Sequence, residues 1–369
     1  MTETQTKIAK IVPVLEAASA DAAVFWTRAN FAWITGGRDN HVGRANPVGV
    51  AGIVVAKSGK ATCITSTIEG PRYREEALAG LGIDVVEVPW WDIESAKRIA
   101  RDVIGDPSRT VADFDQYGLG WKPIPAELLK LRQTLTPDEI ARYRTGATIA
   151  RDAIEAVARE TKPGLTEREL AGRLDYECRR RGGHALTILI AVDERLWKYR
   201  HPIPTDRAMK QVAMLVVGCE HAGLITSVTR FIHAGPISSD LQRRVQAVAD
   251  IDAAAILGTW PGRKLKEVFA DIQAAYARTG FDDEWKNHHQ GGATGYAPRE
   301  QLANPSVERV VELNQAFAWN PSIPGYKGED TTLLTEAGVE VMTAHTKLFP
   351  TVIGRAGDRT LPRAGVLEV

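Results

Sequence analysis

The sequence predicts a two-domain chain whose first domain is α/β. Three observations carry this. A length of 369 residues suits two domains of ordinary size. In the first third of the chain, short runs rich in Val and Ile alternate with helical patterns, as in layered strands and helices. Two helix-start signals of the same grammar, Thr136-Pro137-Asp138-Glu139 and Thr166-Glu167-Arg168-Glu169, then open a second region. The boundary falls near Leu131–Leu135, giving domains 1–132 and 133–369.

Taken in order, Asp21–Gly37 reads as a strand, a short helix or loop and a second strand, ended by Gly36-Gly37. Val48–Ala56 and Ala61–Thr65 bracket the turn Lys57-Ser58-Gly59-Lys60, a hairpin signal. Pro71–Ala79 is expected to be helical, with Gly80 just past its end. Val85–Val88 is a strand, Ile93–Ile104 an amphipathic helix and Thr110–Phe114 another strand. No Gly-x-Gly-x-x-Gly follows a strand, so a dinucleotide site is not indicated. In the second region Thr187–Val192 is an apolar strand.

Composition narrows the function class. The 46 basic and 46 acidic residues cancel, which argues against nucleic acid or an anionic membrane as the main partner. An apolar content of 44% with 25% charged residues is that of a soluble globular enzyme. The three cysteines, Cys63, Cys178 and Cys219, have no metal or disulfide spacing, which fits a reducing cytoplasm. The N-terminal MTETQTKIAK lacks the apolar stretch of a signal peptide, and no apolar run approaches the ~20 residues of a membrane span.

Four later segments carry the chemistry: Leu215–Arg230 (LVVGCEHAGLITSVTR), His288–Gly295 (HHQGGATG), Phe317–Ser322 (FAWNPS) and Gly325–Thr335 (GYKGEDTTLLT). Their order and spacing resemble the pita-bread family of methionine aminopeptidase, aminopeptidase P, prolidase and creatinase. Asn30–Gly36 (NFAWITG) likewise resembles an element of creatinase-type N-terminal domains. The resemblance covers most of the chain. It implies an α/β N-terminal domain followed by an α+β pita-bread domain.

In the peptidases of this family these segments supply two Asp, one His and two Glu as metal ligands. The matching positions here are Val216, Ser227, Gly292, Asn320 and Glu329. A dinuclear centre needs anionic oxygens and an imidazole. Val and Gly offer no ligand, and Ser and Asn offer only neutral oxygens. The expectation is therefore no metal and no cofactor, as in creatinase, the metal-free branch.

His201 stands six residues before Arg207 of Pro204-Thr205-Asp206-Arg207, the spacing of the creatinase general acid/base. An imidazole titrating near ~6.5 suits that task independently of the resemblance. Glu329 is expected to act beside it, by holding a cationic amine or guanidinium or by orienting water. By resemblance His288 faces substrate, and His289, Asn320, Trp319, Ser227 and Asp330 are expected to complete the binding shell. Arg230 is read either as a bidentate carboxylate clamp or as the partner of Asp330. Trp197 and Tyr199 offer further aromatic faces. Cys219 and Ser227 lack a base at an obvious spacing and are not read as nucleophiles.

The chain departs from creatinase at Thr229 and Gly328, where that enzyme has glutamates, so creatine is a poor candidate substrate. The expected function is metal-independent hydrolysis of a C–N bond in a small guanidino, ureido, amidine or N-acyl amino-acid compound. A non-catalytic binding module, as histone chaperones use this fold, and a metal-free lyase using the same His remain open. The resemblance also implies a homodimer in which the neighbour's loop Trp33–His41, through Arg38 or His41, closes the site.

Overall fold

A computed structural model describes residues 1–369. The chain divides into two compact units, Met1–Glu139 and Ile140–Val369. The division lies inside the helix that the sequence reading assigns to the second domain.

The first unit begins with α1 (Glu3–Ala17), then β1 (Ala22–Thr27), α2 (Arg28–Ile34), β2 (Val48–Ala56) and β3 (Ala61–Ser66). A short helix α3 (Gly70–Arg72) runs into one wide turn, Tyr73–Ala77. β4 (Asp84–Val88), α4 (Ile93–Ile104), β5 (Thr110–Ala112), β6 (Lys122–Pro123) and α5 (Ala126–Leu131) complete it. The strands form one mixed sheet in the order β4-β3-β2-β1-β5-β6. The expected hairpin forms with Val55 opposite Ala61. α4 has the predicted limits and is capped by Asp92, whose side chain accepts from Ser95 N. The second strand expected within 21–37 does not form. Asn30 to Ile34 instead lie in α2, with Phe31, Trp33 and Ile34 buried. A short aromatic run has no periodicity that separates a buried helix from a strand.

The second unit is an α+β pita-bread domain. α6 (Pro137–Glu160) and α7 (Glu167–Arg179) start at the two predicted capping boxes. Glu139 N donates to Thr136 Oγ1 at 3.3 Å and Thr136 N to Glu139 Oε2 at 2.7 Å. Thr166 and Glu169 repeat the exchange at 3.2 and 2.7 Å. β7 (His184–Val192), a short helix α8 (Arg195–Lys198), β8 (Val212–His221) and β9 (Leu224–His233) follow, then α9 (Ser239–Gly258) and α10 (Leu265–Arg278). With β19 (Val366–Glu368), the long strands form a sheet ordered β19-β9-β8-β7.

β8 is buried on both faces because its side chains alternate between two cores. Val212, Met214 and Val216 pack with α9 and α10 residues such as Val248, Ile251 and Phe269. Ala213, Leu215 and Val217 pack with Ile154, Val157 and Leu170 of α6 and α7. A second sheet is ordered β11-β10-β12-β15-β16, from β10 (Gly291–Thr294), β11 (Gln301–Leu302), β12 (Ala316–Trp319), β15 (Asp330–Thr335) and β16 (Gly338–Val341). The hairpins β13 (Ser322–Ile323) with β14 (Tyr326–Lys327), and β17 (Thr351–Ala356) with β18 (Arg359–Ala364), complete the unit. No helix is long and apolar enough to cross a membrane.

Candidate active site

Register positions the site. Trp319 pairs with both Gly291 and Asp330, so the start of β10, the end of β12 and the start of β15 lie side by side. Asn320 N donates to Gln290 O at 3.1 Å, and Thr229 N of β9 donates to Glu329 O at 3.1 Å. The four segments singled out in the sequence therefore meet.

His201, His288 and His289 form a cluster, with ring centroids 4.6–5.6 Å apart. The Nε2 atoms of His201 and His288 are 3.1 Å apart, so one proton is shared between them. His288 Nδ1 lies 3.0 Å from Ser322 Oγ, which fixes that ring. Burial, first of all, and then the Lys327 charge hold His288 below the usual imidazole range, and partial desolvation followed by Lys327 lowers the exposed His201 ring as well. His289, although exposed at its surface, is pushed down to about 4 by partial desolvation and by Arg299. All three rings are neutral near pH 7. Each offers one nitrogen within 4.8 Å of the others, a group that can hold a metal ion. Lys327 and Arg299 place positive charge next to it, which opposes a dication.

Glu329 is buried between two cations. Lys327 Nζ lies 2.9 Å from its Oε2, and Arg299 Nη2 donates to Oε1 at 3.1 Å. Thr229 Oγ1 also donates to Oε2 at 2.9 Å. Burial pushes this carboxyl up, but Lys327 and Arg299 prevail and hold it at about 2. Both oxygens have protein partners. The expectation that Glu329 holds a cationic substrate group is corrected: Lys327 and Arg299 already occupy it.

Arg230 and Asp330 are likewise committed. Arg230 Nη2 donates to Asp330 Oδ1 at 2.9 Å and to Thr343 O at 2.7 Å. Arg363 Nη2 donates to Asp330 Oδ2 at 2.6 Å and its Nε to Asp252 Oδ2 at 2.7 Å. Both side chains are buried, so the carboxylate-clamp role for Arg230 and the substrate role for Asp330 give way to an internal ion-pair cluster. Beside it lies a cavity of about 20 Å³, lined by Thr229, Asp252 and Lys327 among others, with room for one water. Trp319 is also corrected. It is fully buried, and its Nε1 donates to Thr259 Oγ1 at 3.0 Å, so it is core. Ser227 is buried in β9, its backbone N–H donating to Thr331 Oγ1. Asn320 is buried with Oδ1 lacking a donor, a polar atom open to a ligand. Trp197 and Tyr199 are exposed near His201 in the chain.

Arg38 and His41 belong to the first unit. Arg38 is exposed, and His41 Nδ1 lies 3.2 Å from Asp39 Oδ1. Sequence reasoning missed Lys327, Arg299, Ser322 and Asp252.

Residues 141–341 match the model of metallopeptidase family M24, more than half of the chain. The chain belongs to family M24. It is 24% identical over 358 residues to an uncharacterized peptidase of Staphylococcus aureus (strain MW2), covering 93% of this chain and all of the relative. In fold it is similar to the Xaa-Pro dipeptidase from Bacillus anthracis, with a TM-score of 0.78 at 19% identity over 99% of this chain and 100% of that one. The prolidase from Pyrococcus horikoshii OT3 gives 0.77 at 20% identity over 92% and 99%. The N-terminal domain of the FACT complex subunit SPT16 from Cicer arietinum gives 0.70 at 13% identity over 93% and 96%. An enzyme family and a fold that also occurs in a FACT complex subunit are thus both among its likenesses.

Within the M24 frame, Val216 sits in the apolar core with Phe231 and Val248. Gly292 has φ +147°, and a Cβ there would stand 2.1 Å from Gln301 O. The β10–β11 pairing has closed over that position, leaving no room for a side chain.

Proposed function

We propose that this M24 chain is a hydrolase that cleaves a C–N bond in a small polar nitrogen-containing metabolite without the family's dinuclear metal centre. A dinuclear centre does not fit these residues. Val216 is core, Gly292 has no room for a ligand, and Glu329 is saturated by Lys327, Arg299 and Thr229. The observation that carries the reading is the His201–His288 contact, with His288 neutral and orienting the His201 ring, which is held neutral and so can accept a proton.

In the working arrangement His288 Nδ1–H donates to Ser322 Oγ, and His288 Nε2 accepts the Nε2–H of His201. Nδ1 of His201 is then the basic nitrogen. It takes a proton from water as the water oxygen bonds to the substrate carbon. The imidazolium then returns a proton to the leaving nitrogen, which departs with the C–N electron pair. His289 and Asn320 line the substrate. In the same reading a second copy of the chain completes the site through Arg38 or His41.

The test is a screen of N-acyl, ureido, guanidino and amidine compounds and Xaa-Pro dipeptides for hydrolysis, followed by His201→Ala on the substrate found. Loss of the general base is expected to lower kcat/KM by ~10²–10⁴-fold. Activity within about twofold of the parent removes His201 from the chemistry. A stoichiometric transition metal required for turnover overturns metal independence. Product formed in labelled water without label shows elimination instead.

A further inference from the structure

Resting on the hydrolase reading, we propose that the substrate is an anion and that Lys327, with Arg299, receives its carboxylate. Of the four candidate classes, this selects N-acyl and N-carbamoyl amino acids over guanidino and amidine compounds.

The first argument is charge. Lys327 and Glu329 are buried and Arg299 is partly buried beside them, a trio of two cations and one carboxylate. The nearest other buried carboxylates, Asp330 and Asp252, are bound by Arg230 and Arg363. The three imidazoles are neutral and offer no counter-charge. One positive charge is left uncompensated beside the histidines, a costly state for a buried group.

The second argument is hydrogen bonding. An ammonium carries three donors. The side chain of Lys327 is 5% exposed, and Glu329 is its one charged partner. Arg299 Nε is buried without an acceptor, and Asn320 Oδ1 is buried without a donor. Donors beside a surplus positive charge suit a carboxylate, while the Asn320 oxygen suits a substrate N–H. A charge that develops only in the transition state would leave the surplus uncompensated while substrate is bound. A carboxylate already on the substrate removes it in the ground state. A cation about 5 Å from the same surplus would bind on the order of a hundredfold more weakly at an effective dielectric of about 20.

The experiment uses the full-length protein at constant ionic strength and pH 7.5. Binding is measured by calorimetry and melting shift for N-acetylglycinate and N-carbamoylglycinate, their uncharged amides, and agmatine as the cation. The two anions are expected to bind at least tenfold more tightly than their amides, and agmatine not at all. Lys327→Met is expected to weaken anion binding at least tenfold and to abolish the preference over the amides. Lys327→Arg should restore most of it. Amides or agmatine binding as tightly as the anions overturns the proposal. So does Lys327→Met binding anions within twofold of the parent, or the absence of any anion-dependent response. Product release is assayed in parallel. Anions that bind charge-selectively but stay intact sink the hydrolase reading and leave the anion site standing. Equal cleavage of anions and amides does the reverse.

Discussion

Two ionic groups, one buried and one partly buried, lie side by side in the second unit, and they differ in their charge balance. Arg230, Asp330, Arg363 and Asp252 pair two cations with two carboxylates and are neutral together. Lys327, Glu329 and Arg299 pair two cations with one carboxylate. The neutral group ties β9, α9, β15 and β18 together and asks for nothing from outside. The positive group is next to the histidines and lacks a counter-ion. Burial alone does not separate a structural network from a binding site; the charge balance does.

Removing one cation from each group is the most severe way to break that distinction. Arg363→Met leaves Asp252 buried with no cation, since Arg230 is held by Asp330. A stability loss of ~3–5 kcal/mol in urea unfolding is expected. Lys327→Met leaves Glu329 with Arg299 and Thr229, a neutral hydrogen-bonded pair, so a change within about 1 kcal/mol is expected. Equal losses in the two variants would mean that the positive group is as structural as the neutral one.

This contrast was invisible in the sequence. The frame was legible: the segments Leu215–Arg230, His288–Gly295, Phe317–Ser322 and Gly325–Thr335 meet, as their order and spacing implied. The capping boxes and α4 were legible because caps and helical periodicity are local signals. Partners were not. Lys327 lies between Tyr and Gly in a short hairpin, and Arg299 follows a proline in a turn. Both contexts usually hold solvated side chains. Glu329 looked available because the sequence names a carboxylate but not what neutralises it. Trp319 looked like a binding face because it stands beside Asn320, while β12 pairing turns it toward Thr259 and the core.

A smaller effect tests whether the family's ligand frame is closed. Gly292→Ala would place a Cβ 2.1 Å from Gln301 O at φ +147°. The strain is expected to cost about 1–3 kcal/mol of stability, with the melting temperature as readout. A variant as stable as the parent would show that β10 and β11 yield easily. Gly292 would then be no bar to a side-chain ligand, and the contrast between the two groups would rest on charge alone.

The smallest effect concerns the sign of a pH dependence inside the neutral group. Burial raises the Asp252 carboxyl to about 6, although Arg363 pulls it down, whereas Glu329 is held at about 2. A carboxyl raised on folding keeps its proton longer in the folded chain than in the unfolded one. Its contribution to stability is therefore complete below its ordinary value of 3.8 and disappears as the pH rises through about 6. Between pH 5 and 7 the parent should lose about 1 kcal/mol through this group. Asp252→Asn has no proton to lose there, so its unfolding free energy should lack that fall. A difference of opposite sign would mean that Arg363 overcomes the burial of Asp252. Its carboxylate would then be ionised well below pH 6, as that of Glu329 is, and the two groups would differ only in their count of cations.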